Sequence, residues 1–316
     1  MRFSRQTTLR SQVTVTGVGV HSGAAASLTL GPAEAGAGYV FIRSGLDGAD
    51  REIRASAQSV IATEFATVLG DGAEPLISTA EHVLAALRGM GIDNATIEVD
   101  GPETPIMDGS AAPFVEAIER AGIVELRAAR RFIEVLKPVR VTSGQCFGEL
   151  SPYARGFRAE IEIDFPEKAI GRQALAFDLT PETFRRELSR ARTFGRMCEV
   201  EKLWAAGYAR GASFENSVVV DGERILNPDG LRYADEFVRH KALDAVGDLA
   251  LAGLPLLGLY RSSRGGHKLN NAVLRALMAD RRAWRMVESE QPVRRPRGAG
   301  ELVGGMAVPA FGPDVS

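Results

Sequence analysis

The chain contains four histidines, and none lies in an anonymous stretch. His21 follows the glycine turn TGVGV, His82 lies in STAEHVLAALRGMG, His240 in FVRHKALDAVGD, and His267 directly after two glycines in RSSRGGHK. His240 and Asp244 are four residues apart in a helical pattern, which superposes their side chains on one face. Asp248 extends that stripe by one turn, among the apolar Leu243, Val246 and Leu249. A histidine and two aspartates in such company point to a polar cavity rather than open surface. An isolated HxxxD, however, is usually a plain His–Asp hydrogen bond, so metal chemistry needs a third ligand.

His82 is the candidate. Two histidines and one carboxylate, with a fourth position left to water, have the composition of a catalytic zinc site. Glu81, beside His82, would then be a base that does not ligate the ion. Glu81 also has a structural reading: Ser78-Thr79-Ala80-Glu81 fits the S/T-x-x-E capping box, in which the glutamate bonds back to the helix start. His82, for its part, has the alternative of an ordinary core histidine. The two cysteines, Cys146 and Cys198, are not placed to close a structural zinc shell. On the residues alone both readings stand.

The elements that must position these side chains are legible in outline. SQVTVTGVGV, ASLTLGP and GYVFIRS read as strands between glycine turns. Ser78 or Thr79 is placed to N-cap a helix whose apolar face uses Val83, Leu84 and Leu87, and Gly89 and Gly91 stop it. The strand NATIEVDG, the turn-rich loop PETPIMDGS and a helix with Pro113 in its first turn follow. The later part repeats this order: helix DEFVRHKALDAVGDLALAG, strand LPLLGLY, glycine loop RSSRGGHK and helix LNNAVLRALMAD. Each half thus places a histidine-bearing helix after a β-rich lead-in, which reads as a duplication. The boundary is expected near residues 125–132, giving domains 1–128 and 129–284, with a mobile Pro/Gly/Arg-rich tail over 285–316.

Composition limits the function classes. The 316 residues are 45% hydrophobic and 25% charged, with a net charge of −2, which fits a globular protein and no nucleic-acid partner. The start lacks the apolar core of a signal peptide, and no run approaches a membrane span. Two cysteines without a framework suit a reducing compartment, so a cytoplasmic protein is expected; it is also expected to be monomeric and not integral to a membrane.

Taken together and in order, GVGVHSG, STAEHVLAALRGMGIDNATIEVDGPETPIMDGSAAPF, RTFG, SFENSVVV, LRYADEFVRHKALDAVGDLALAG and GGHKLNNAVLRAL resemble the UDP-3-O-acyl-N-acetylglucosamine deacetylases over roughly residues 4 to 280. The resemblance implies a Zn2+ enzyme (Fe2+ being a possible ion in the cell) that removes the N-acetyl group of UDP-3-O-[(3R)-3-hydroxyacyl]-N-acetylglucosamine in the committed step of lipid A biosynthesis. It implies an α+β fold of two similar two-layer α/β sandwich domains, with helical layers facing each other and the site between them. It places the metal ligands on His82, His240 and Asp244, the base on Glu81, the acid that protonates the leaving group on His267, and that acid's carboxylate partner on Asp248. Thr193 falls on an oxyanion-holding position, Phe194 on a sugar-contacting one, and Lys241 on the substrate side. An insert at about 195–220 implies an apolar passage for the acyl chain lined by Val200, Ala209, Ser213 and Ser217; the bland alternative is a packed β-α-β element. His21 receives no role. Glu215, Arg196 and Ala66 depart from the commonest family pattern and touch no ligand or catalytic position. A zinc amidase on another acylated amino sugar is the nearest rival, followed by a non-catalytic sugar-nucleotide sensor. A small-molecule kinase lacks a phosphate-cradling GxxxxGK[ST] loop.

Overall fold

The structure, a computed structural model, describes residues 4–46 and 48–289. In chain order the first half runs β1 (Arg5–Leu9), β2 (Val13–Val18), β3 (Ala25–Gly31), β4 (Tyr39–Leu46), β5 (Ala49–Arg54), β6 (Val60–Ala62), β7 (Val68–Asp71), β8 (Glu74–Ile77), α1 (Glu81–Gly89), β9 (Ala95–Val99) and α2 (Ala112–Ala121). Then come β10 (Ile123–Ala129), β11 (Arg131–Val135), β12 (Val139–Ser143), β13 (Cys146–Ser151), β14 (Phe157–Asp164) and β15 (Arg172–Asp178). A short α3 (Pro181–Thr183) continues into a π-helical turn at Phe184–Leu188. The described residues end with β16 (Phe194–Arg196), α4 (Met197–Ala205), β17 (Val218–Asp221), β18 (Arg224–Ile225), α5 (Glu236–Ala250), β19 (Leu256–Ser263), α6 (His267–Ala279) and β20 (Trp284–Glu288). The fold is α+β.

The repeat read from the sequence recurs in the sheets. One sheet has the order β2-β3-β9-β4-β5, and the larger one contains the order β12-β13-β19-β14-β15. Directions match step for step: β9 and β19 each pair antiparallel with the strand before them in that order and parallel with the strand after. In both halves a helix precedes this central strand and another follows it, α1 and α2 around β9, α5 and α6 around β19.

Helices meet at the centre of the molecule. α1 packs on α5, α2 rests on β2, and α6 rests on β12 and β13. All nine residues of α1 are buried, Arg88 and His82 included, and α5 likewise buries Glu236, His240, Asp244 and Asp248. A helix buried all round needs apolar residues on every face, so the polar ones inside it require partners. The two helices approach closely at Gly247, where an added Cβ would lie 2.1 Å from the Glu81 carbonyl oxygen. Gly247→Ala is therefore expected to push α5 off the start of α1 and lower stability by about 1–3 kcal/mol. Denaturant unfolding measures this, and a variant as stable as wild type would show that the helices can slide apart.

Two expectations about this framework are corrected. Ser78 and Thr79 do not cap α1: the N-cap is Ala80 and makes no side-chain cap bond. Thr79 sits at φ 58° and turns its hydroxyl to Glu103 Oε1, 2.9 Å away. Residues 285–288, expected to open the tail, instead belong to β20, which pairs antiparallel with β11. Arg285 faces Glu134 across that pairing at 2.6 Å, an opposite-charge cross-strand pair that favours the strand. The rest of the predicted tail, 290–316, lies outside the described residues. Among the described residues no helix is long and apolar enough to cross a membrane.

Candidate active site

The lost capping box frees Glu81. Its Oε2 accepts the Thr67 N–H at 3.0 Å, and the Ser78 N–H that a capping box would engage goes to the Pro102 carbonyl at 2.9 Å. The next residue, His82, meets His240 of α5 edge to face, with ring centroids 5.1 Å apart. Asp244, one turn beyond His240, presents Oδ1 to both rings, 3.3 Å from His240 Nε2 and 3.8 Å from His82 Nε2. One ligand atom from each of the three buried residues lies within 4.8 Å of the others.

These atoms fit a cation. Asp244 Oδ1 is buried without a hydrogen-bond partner among the described residues, an arrangement that costs stability unless a positive charge is supplied. Its Oδ2 accepts Lys241 Nζ at 2.8 Å. His240 Nδ1 lies 3.0 Å from the Ala191 carbonyl, to which it donates its proton, leaving the Nε2 lone pair for a metal. Burial, with His240 adding its charge, holds the His82 pKa down at about 3. Burial also lowers that of His240. Burial alone would raise Asp244, but His240, Lys241 and the other histidines outweigh it and hold the carboxyl well below the usual range. Two neutral imidazoles and one carboxylate form the donor set of a catalytic divalent site.

A second set of groups flanks the first. His267 is the first residue of α6, following Gly266. Its Nδ1 lies 2.9 Å from Asp248 Oδ2 and its Nε2 lies 3.7 Å from Glu81 Oε1. Asp248 is fully engaged: Oδ2 also accepts Asn270 Nδ2 at 2.8 Å, and Oδ1 accepts the Thr67 hydroxyl at 2.6 Å. Burial raises the Glu81 pKa to about 7, with Asp248 and Asp244 adding to the rise and His267 opposing it. Burial opposes charge on His267, but Asp248, Glu81 and Asp244 outweigh it and push its pKa up to about 10. Near neutrality the pair therefore combines a carboxylate close to its midpoint with an imidazolium, the division of labour general acid–base catalysis needs.

Both groups open into one cavity of about 600 Å³, whose wall also includes Thr193, Phe194 and Lys241. Phe194 stacks edge-on to Phe237 at 5.0 Å, and Lys241 Nζ lies 5.7 Å from its ring centre. The Thr193 backbone is pinned on both sides, its N–H donating to Gly109 and its carbonyl accepting from Val218. Arg196, Arg264 and Lys268 add positive charge to the wall.

A family model described as UDP-3-O-acyl N-acetylglycosamine deacetylase matches residues 6–279. Proteins named UDP-3-O-acyl-N-acetylglucosamine deacetylase from Brucella ovis and Brucella canis are each 52% identical over 285 residues, covering 90% of this chain and 99% of theirs. The protein of that name from Brucella melitensis is 51% identical over the same span. The chain belongs to the UDP-3-O-acyl-N-acetylglucosamine deacetylase family.

Not every residue assigned from the family resemblance reaches this cavity. His82, His240, Asp244, Glu81, His267, Thr193, Phe194 and Lys241 line it, and Asp248 lies behind His267. Val200, Ala209, Ser213 and Ser217 do not. The segment that carries them is a β-α-β element, with β16 and β17 parallel around α4. Val200 is half-buried in α4, Ser213 is exposed, and Ser217 is buried against Asn216. Ala209 N–H points to His21 Nδ1 at 3.5 Å, and His21 lines a neighbouring cavity instead. The departing Arg196 is held by Glu167 at 3.0 Å and by Glu199.

Thr67, Asn270 and Glu103 also serve the site, although their positions in the sequence do not single them out. Asn270 comes nearest to a signal, since it lies three residues after His267 on one helical face. Thr67 joins Glu81 to Asp248 from a loop between short strands and carries no spacing signal. Glu103 accepts the His21 and Ser22 N–H groups at 2.9 and 2.8 Å, holding the GVGVHSG turn.

Proposed function

We propose that this chain is a zinc-dependent deacetylase that hydrolyses the N-acetyl group of UDP-3-O-[(3R)-3-hydroxyacyl]-N-acetylglucosamine to acetate and the free amine, the committed step of lipid A biosynthesis. Its relatives at 52% identity bear the corresponding enzyme name. The observation that carries the reading is the orphaned Asp244 Oδ1 facing two buried imidazole nitrogens, with Glu81 and His267 beside it. A non-catalytic sensor would have no use for those last two groups.

His82, His240 and Asp244 would hold the ion. Zinc in such a donor set polarises an amide carbonyl and lowers the pKa of a water towards about 7; ferrous iron suits the same donors. Glu81 takes the proton of the attacking water. The Thr193 hydroxyl donates to the carbonyl oxygen as it gains charge, where a preorganised donor is worth most. His267 delivers a proton from Nε2 to the departing nitrogen, while Asp248 fixes its ring through Nδ1. Phe194 and Lys241 position the sugar. An acyl passage along Val200, Ala209, Ser213 and Ser217 would orient the substrate, since each buried methylene contributes roughly 0.8 kcal/mol before ordering costs. Residues 1–128 bring Glu81 and His82, and 129–284 bring the rest; the protein acts as a cytoplasmic monomer.

Metal analysis and an acetate-release assay test this together. One equivalent of metal is expected, with activity abolished by a chelator and restored by zinc. A tight ion also stabilises the fold, by about 4 kcal/mol at a thousandfold excess over Kd. Undiminished turnover in stripped protein would overturn the zinc reading. Equal rates on acylated and unacylated UDP-N-acetylglucosamine would favour the amidase on another amino sugar.

A further inference from the structure

A second cavity, of about 170 Å³, lies at the far end of the two helices that carry the metal-facing side chains. That is room for roughly ten waters. It is bounded by the last turn of α1, the later turns of α5 and the chain around residues 130–132 and 155–157, and shares no lining residue with the catalytic cavity. Arg88 in its wall lies six residues along α1 from His82, about 9 Å down the axis.

The charges around this cavity have one sign. Arg88, Arg130 and Arg155 line it beside Phe132, Phe157 and Leu249, and no lining residue is acidic. Asp93 pairs with the inner arginines but is already engaged. Its Oδ1 accepts Arg130 Nε at 3.0 Å and its Oδ2 accepts the Thr7 N–H at 3.0 Å, while Arg88 Nη1 stops 3.9 Å short of Oδ1. Arg88 is only 8% exposed, yet its guanidinium makes no hydrogen bond among the described residues, and Nε and Nη1 are buried without partners. Its support is the face of the Tyr39 ring, 5.2 Å away. Elsewhere the protein fully pairs a buried arginine: Arg192 holds Glu236 at 2.9 Å through a second contact at 3.1 Å. A buried guanidinium held only by a 3.9 Å ion pair and without a hydrogen bond is costly, and its fork is shaped for a carboxylate.

The geometry points to this cavity as a binding site for a small amphiphilic carboxylate. The head group pairs with Arg88 and Arg130, and a short hydrocarbon body lies against Phe132, Phe157 and Leu249. Two inner arginines against one aspartate leave a single positive charge, which matches a monoanion. The apolar wall gives inorganic phosphate nothing to bury.

Octanoate, titrated calorimetrically into the metal-loaded protein, tests the site. Binding is expected in wild type, about tenfold or more weaker in Arg88→Met, weaker in Arg155→Met, and unchanged in Phe194→Ala, whose side chain lines the catalytic cavity and not this one. Octanol and inorganic phosphate are expected not to compete. Arg155 is exposed, so its variant decides the matter if Arg88→Met fails to fold. Equal affinity in folded Arg88→Met, or in Arg155→Met where that variant decides, overturns the assignment. So do loss of binding in Phe194→Ala, competition by octanol or phosphate, and absence of binding altogether.

Discussion

Glu81→Gln is expected to lower acetate release by about 10²–10⁴-fold while leaving the metal content unchanged. The amide keeps the shape of the side chain, and its oxygen can still accept the Thr67 N–H that Glu81 Oε2 accepts at 3.0 Å. What disappears is the proton acceptor. Glu81 is not one of the three residues that converge on the candidate ion, so metal binding should survive. The pH profile adds an independent reading. Activity needs Glu81 ionised, and its pKa of about 7 without an ion makes the rate fall on the acid side. A divalent cation nearby favours the carboxylate and moves that limb lower. In Glu81→Gln the residual rate should lose this limb. Full activity would remove Glu81 from the mechanism, and loss of metal would make it a support of the ligand sphere instead.

That freedom of Glu81 was the point on which local sequence rules misled. Ser78-x-x-Glu81 has the form of a capping box, but a capping bond is worth only about 1 kcal/mol, and long-range partners outcompete it. Thr79 goes to Glu103 and Glu81 goes to Thr67. Both partners lie 14 or more residues away, beyond any helical window. His240, Asp244 and Asp248 were legible because helical periodicity puts residues four apart on one face. The helix–strand–loop–helix order of each half was legible for the same reason, since it depends on local pattern. Matching strand orders in the two sheets were not, because pairing such as β3 with β9 joins segments separated by a helix and several strands. Residues 285–288 read as the start of a tail because four residues show little periodicity; pairing with β11 supplies what the local pattern lacks. The insert shows the opposite limit. Its β-α-β form is what the bare sequence favours, and only family likeness points to an acyl passage there.

His267→Ala is expected to retain metal, since His267 stands outside the ligand group, and to lose about 10²–10⁴-fold in turnover. An amine leaves poorly as an anion, so the proton must come from a group that carries it at working pH. His267 qualifies because Asp248, Glu81 and Asp244 together overcome its burial and raise its pKa to about 10. The rate should therefore fall on the alkaline side as His267 deprotonates, at a pH somewhat below 10 once a divalent ion adds its charge. Asp248→Asn separates this assignment from its alternative. Asp248 raises the pKa of both His267 and Glu81, so removing its charge should move both limbs of the profile to lower pH, with metal retained. The active form has Glu81 ionised and His267 protonated, so the alkaline limb advances into the neutral range and activity at high pH drops first. Should the alkaline limb persist unmoved in both His267→Ala and Asp248→Asn, it belongs to Lys241. That ammonium lies 2.8 Å from Asp244 and, despite burial, is stabilised chiefly by Asp244 rather than by Asp248.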